Sequence, residues 1–67
     1  MKLEGLKDIR RQHRLSITQL ATSAGVARST VWEAETGRKQ PTLDSTLKIA
    51  RALGVEVEDL IKPRVHA

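Results

Sequence analysis

The sequence predicts an all-α fold of five short helices. Three observations point to it. Apolar residues recur three and four apart in short stretches, the spacing of one helix face. Gly25, Gly37 and Gly54 stand where those stretches end, and a left-handed residue that closes a helix costs glycine little. Ser16 and Thr42 stand just ahead of two stretches, where a side-chain oxygen can accept from the first free N–H groups.

Helix 1 is read from Leu3, Leu6 and Ile9, followed by polar Arg10, Arg11 and Gln12, with the stretch ending at Leu15. Helix 2 starts at Ser16. Gln19 lies three residues on, so Ser16-Ile17-Thr18-Gln19 fits a capping box, with hydroxyl and amide each satisfying a backbone N–H. Ile17, Leu20, Ala21 and Ala24 form its inner stripe, and Gly25 stops it. Helix 3 opens near Ala27 or Arg28 and runs to about Thr36, with Val31 and Ala34 as a narrow apolar side. Gly37 ends it. The loop Arg38-Lys39-Gln40-Pro41 follows, and Pro41 bars a continuous helix.

Thr42 is the expected cap of helix 4, with Asp44 near its positive end. The stripe read for helix 4 is Leu43, Leu47, Ala50 and Leu53, flanked by Ile49, and Gly54 stops it. Val55-Glu56-Val57-Glu58 alternates like a strand, but a lone strand has nothing to pair with. Residues 56–61 are therefore read as helix 5, with Val57, Leu60 and Ile61 apolar. Pro63 ends it, and 62–67 are expected to form a flexible tail.

Composition limits what this fold can do. The chain has 67 residues, which allows one domain, expected to span 1–67. A core this small leaves modest stability. There is no Cys, so no disulfide, thiolate metal site or Cys nucleophile is available. Trp32 is the only aromatic, too few for a stacking platform on single-stranded nucleic acid. No apolar run is long enough to cross a membrane, and the start MKLEGLKDIRR lacks the apolar core of a signal peptide, so the expected location is the cytoplasm. His13 and His66 stand apart with no nucleophile or metal partner, and no Gly-rich phosphate loop exists. No enzyme, catalytic residue, metal or cofactor is expected. The formal charge is +4, and ten of the twelve Lys and Arg lie in residues 1–51 with only five of the eight acids. An uneven basic surface suits a polyanion, though a solvated face gives the same sums.

Five short helices in a basic domain of this size point to a helix-turn-helix that binds double-stranded DNA. Its two helices would span about 17–36. Ala21 is small enough for helix 3 to cross helix 2 closely, Gly25 supplies the turn, and Val31 anchors the second helix in the core. The stretch from about residue 6 to 61 resembles the lambda-repressor-like (Xre-type) helix-turn-helix proteins and is similar to phage repressor DNA-binding domains. The residues that carry the resemblance are Leu15-Ser16 with Leu20-Ala21, Gly25-Val26, Ser29-Thr30-Val31, Glu35-Thr36-Gly37-Arg38, Pro41-Thr42-Leu43, and Leu53-Gly54-Val55 leading to Asp59-Leu60.

The resemblance implies a transcriptional regulator, of the repressor kind, acting as a homodimer on a palindromic operator with helix 3 in the major groove. Arg28, Ser29 and Glu33 then face base edges, with Trp32 beside them. Arg28 has the donors for guanine O6 and N7, and Glu33 an acceptor for cytosine N4. Trp32 either packs on a neighbouring surface or touches the DNA backbone or a thymine methyl. Phosphates would meet Arg38, Lys39 and Gln40 in the loop and the helix 4 start at Thr42 to Ser45. The family often has a phosphate-binding Gln where this chain has Ile17, so Thr18 or Gln19 takes over that contact. Ala27 stands where a Ser or Thr cap is usual, and Ala34 where a larger apolar residue is usual. The resemblance also implies a structural ion pair between Arg10 and Glu35. Arg11 and Arg14 are the other charges of helix 1 nearest the motif and are candidate phosphate contacts, with a solvated face as their plainer reading. Val57, Leu60, Ile61 and Val65 are the expected dimer interface. The rival reading is an antitoxin or partner-controlled regulator, with a protein such as a toxin as partner.

Overall fold

The computed structural model describes residues 3–61. Within them the chain forms α1 (Leu6–Gln12), α2 (Ile17–Ala24), α3 (Arg28–Thr36), α4 (Leu43–Leu53) and α5 (Val57–Ile61), and no strand. The all-α expectation holds. The tail read at 62–67 lies outside the described residues.

Local chemistry sets most boundaries. The Ser16 hydroxyl accepts from the Gln19 N–H at 3.0 Å, and the Gln19 side-chain oxygen accepts from the Ser16 N–H at 2.8 Å. Both halves of the capping box are therefore made. Thr42 Oγ1 accepts from the Ser45 N–H at 3.1 Å and starts α4. The alternating run at 55–58 does not become a strand. The Asp59 carboxylate accepts from the Glu56 N–H at 3.1 Å, and the Asp59 N–H donates to the Glu56 carbonyl at 3.0 Å, which closes the first turn of α5.

Helix α2 packs on α3 and α4, while α1 and α4 both pack on α5. The core is built from Leu3, Leu6, Ile9, Leu20, Val31, Ile49, Leu53 and Leu60, with Ala21, Ala34 and Ala50 where helices cross. The stripe read for α4 needs correcting. Ala50 and Leu53 are buried, but Leu43 is 64% exposed and Leu47 40% exposed, and the inward face is Thr46, Ile49, Ala50 and Leu53. A polar Thr fits there because its hydroxyl donates to the Thr42 carbonyl at 2.9 Å, so no buried group is left unpaired.

One side chain ties α1, the α1–α2 turn and α3 together. Arg10 Nε donates to Glu35 Oε2 at 2.6 Å and a terminal nitrogen donates to Glu35 Oε1 at 3.0 Å. The other terminal nitrogen donates to the Leu15 carbonyl at 2.7 Å. The two side chains are only 11% and 5% exposed, so the pair belongs with buried rather than surface ion pairs. The hydrogen bond from Glu35 raises the Arg10 pKa above its ordinary value, against the opposing effect of burial. A raised basic pKa adds stability at all pH below the unfolded value, so this contribution stays constant through the neutral range. Removing one partner strands the other as a buried charge. Glu35→Ala is expected to cost about 3–5 kcal/mol, a large share of the stability of a small domain. Thermal unfolding followed by circular dichroism checks it, and a variant that melts like the parent overturns it.

Candidate nucleic-acid interface

Helix α3 buries one narrow side. Val31 and Ala34 point into the core, and Glu35 faces Arg10. At 3.6 residues per turn, the opposite side presents Ser29 and Thr36 with Trp32 and Glu33 at its flanks, and Arg28 stands at the N-terminal end of the helix. Arg28, Ser29 and Trp32 are exposed and Glu33 is half-buried. The tight turn that sets α3 across α2 rests on Gly25, whose φ of +72° lies in the left-handed region. A Cβ there would meet nothing within 4 Å, so the backbone conformation alone asks for glycine.

The first residue of α3 is anchored. Arg28 Nε donates to Thr18 Oγ1 at 3.2 Å. This fixes the stem of the guanidinium and leaves both terminal amino groups for an outside acceptor, the pair that an end-on guanine contact uses. Thr18 therefore meets Arg28 directly, and its hydroxyl hydrogen remains to donate elsewhere. The Gln19 side-chain oxygen is taken by the capping box, which leaves its NH2 as the polar group still available.

The C-terminal end of α3 folds its loop back. After Gly37, the Arg38 N–H donates to the Glu33 carbonyl at 3.1 Å. That returns Arg38 to the last turn of α3, where its guanidinium carbon lies 5.4 Å from the centre of the Trp32 ring. Cation and ring face are within cation–π range. Trp32 is 39% exposed and packs beneath Arg38 rather than in the core. Lys39 and Gln40 are exposed. With Thr30, Glu33, Pro41, Thr42 and Ser45 they line an open depression of about 140 Å³. The Thr42 cap uses the Ser45 N–H, so the amides left at the α4 start are those of Leu43 and Asp44.

The expected dimer residues fare differently. Leu60 is fully buried in the monomer core and offers nothing to a second chain. Its carbonyl accepts from the Gly5 N–H at 2.8 Å, which docks α5 against the start of α1. Val57 and Ile61 are partly buried against the same core, and Val65 lies outside the described residues. Among the described residues, the large apolar side chains left outside are Leu43, Leu47 and Trp32. Reading the sequence missed the Arg28–Thr18 and Arg38–Trp32 contacts. The signal for the second was local: a glycine stop at Gly37 followed by a cation.

Two short helices joined by a tight glycine turn, the second exposing a polar face with cations at both ends, make a DNA-binding helix-turn-helix domain. The helix-turn-helix family model matches residues 6–60, and the chain belongs to that family. It is a DNA-binding transcriptional regulator rather than an enzyme. An uncharacterised helix-turn-helix-type transcriptional regulator of Methanocaldococcus jannaschii is 40% identical over 55 residues, covering 82% of this chain and 83% of that protein. The uncharacterised regulator YobD of Bacillus subtilis is 33% identical over 61 residues, covering 91% of this chain and 54% of YobD. The chain thus spans about half the length of YobD. The crystal structure of the restriction-modification controller protein C.AhdI from Aeromonas hydrophila superposes with a TM-score of 0.80 at 35% identity, covering 85% of this chain and 86% of that chain. No described helix is long and apolar enough to cross a membrane.

The position of Trp32 gives a stability prediction. An exposed cation–π contact is worth about 0.5–1 kcal/mol. Trp32→Ala is therefore expected to lower stability by about 1 kcal/mol, measured by urea unfolding. A loss above about 3 kcal/mol, the cost of deleting a core Trp, overturns the surface assignment.

Proposed function

We propose that the chain binds double-stranded DNA as a homodimer on a palindromic operator, with α3 in the major groove. The observation that carries this reading is the anchored Arg28 at the start of an exposed polar face. In this reading Arg28 donates to guanine, Ser29 reaches a base edge, and Glu33 accepts from cytosine. Arg38 contacts a phosphate from its seat on Trp32. Lys39, Gln40, Thr18 and Gln19 supply further backbone donors, and Thr42 and Ser45 position the free amides at the start of α4. Phosphate contacts set register and the base contacts set sequence. The likeness to a restriction-modification controller protein supports a regulatory role of the same kind.

The second copy is placed on the exposed side of α4. Leu43 and Leu47 lie one turn apart there, with Asp44 and Lys48 paired at 3.3 Å beside them. An isologous contact puts the same patch on both subunits, so a short apolar ridge can pack on its own copy. Two α3 helices would then meet half-sites about 34 Å apart.

Selection of bound sites from random duplex DNA tests the whole reading. The expected result is a motif with two-fold symmetry, and an asymmetric single half-site contradicts the dimer. Arg28→Ala is expected to relax one base position by about 1–3 kcal/mol. Lys39→Ala is expected to weaken all sequences alike and to flatten the salt dependence by about one unit of slope. Equal losses on operator and random duplex for Arg28→Ala would remove it from the reading set. Leu47→Asp is expected to shift the protein to a monomer in sedimentation. A variant that stays dimeric moves the interface off α4.

A further inference from the structure

Four helices end in the same hydrogen-bonded turn. The N–H beyond the turn reaches back five residues: Leu15 to Arg10 at 3.2 Å, Val26 to Ala21 at 3.0 Å, Arg38 to Glu33 at 3.1 Å and Val55 to Ala50 at 3.0 Å. This closure needs a left-handed residue just before the donor. In three cases it is a glycine, Gly25, Gly37 or Gly54, with φ between +67° and +75°. At the end of α1 it is Arg14, with φ +56°, the one described residue other than glycine with positive φ. A Cβ in this region crowds the following carbonyl, so glycine suits the position better.

Among the described residues, no side-chain contact of Arg14 offsets that strain. Arg14 is exposed, and its side chain makes no hydrogen bond, ion pair or ring contact among the described residues. The backbone that presents it is rigid, because the next carbonyl, that of Leu15, is held by Arg10. Arg14 also stands two residues before Ser16, the cap of α2. The same end of α2 carries Thr18, the anchor of Arg28, and a four-residue span reaches at most about 14 Å. An unpartnered guanidinium on a fixed knuckle beside the reading helix has the donors for a phosphodiester.

We propose that Arg14 is a DNA-backbone contact, kept in a conformation that stability alone would give to glycine. The proposal rests on the DNA-binding reading above, and the test separates the two. Arg14→Gly and Arg14→Lys are compared with the parent for thermal midpoint and for affinity to operator and random duplexes across salt concentrations. Arg14→Gly is expected to melt higher, because the strain is relieved. It is also expected to bind both duplexes several-fold more weakly, with the salt slope flatter by about 0.9, the amount for one phosphate. Arg14→Lys is expected to keep the slope. A glycine variant with unchanged affinity and slope overturns the proposal, and so does a loss confined to the operator, which marks a base contact. A parent that binds no duplex at all overturns the DNA-binding reading as well.

Discussion

The placement of α3 depends on the Arg10 guanidinium. Helix α3 has little apolar surface to offer, since Val31 and Ala34 are its buried side chains and Ala34 is small. Apolar burial has no direction, so two residues leave the helix free to roll about its axis. The fork of Arg10 removes that freedom. Two parallel hydrogen bonds to one carboxylate fix a plane as well as a distance. The third, to the Leu15 carbonyl, fixes the same plane to the turn that leads into α2. The two helices of the motif are thus referred to one rigid group in α1. A lysine would supply the charge without the plane.

The rest of the structure divides into parts that hold α3 and parts that leave it open. Helices α2 and α4 have side-chain caps, whereas Ala27 ahead of α3 provides none, and the first turn of α3 has no acid to favour its positive end. By helix chemistry alone α3 is the least self-sufficient of the three. It depends on α2, on Arg10 and on the closure after Gly37. The same closure that ends α3 also lays Arg38 over Trp32, so stopping the helix and seating a cation beside it are one event.

The fold was legible wherever local chemistry decides. The capping box at Ser16, the Thr42 cap and the three glycine stops each use atoms a few residues apart, and the helices begin and end beside them. What was not legible depends on which neighbour a side chain meets. Hydropathy placed Leu43 and Leu47 inside and passed over Thr46, but the inward face of α4 is set by where α2 and α5 lie. Leu60 was expected at a dimer interface for the same reason, because the Gly5 bond that docks α5 links residues far apart in the sequence. In the candidate site, residue types and helix were legible. The Arg28 anchor on Thr18 was not, since it crosses between helices.

The division of α3 into two sides explains how such a small domain can keep its fold while its reading face varies. The buried contacts that secure α3 use its inward side and Glu35, and the exposed ones are the Arg28–Thr18 bond and the Arg38–Trp32 contact. The Ser29 side chain makes no hydrogen bond or ion pair among the described residues, and the Arg28 side chain bonds only to Thr18. Substitutions on that face leave the core and the Arg10 tie untouched, and surface changes of this kind shift stability little. Five short helices around one small core have no room to separate a scaffold from a binding site in different layers. It separates them across the diameter of one helix, and the cost is that α3 must be gripped from one side only. A charged, planar, three-way tie at Arg10 meets that demand in a way that two apolar side chains cannot.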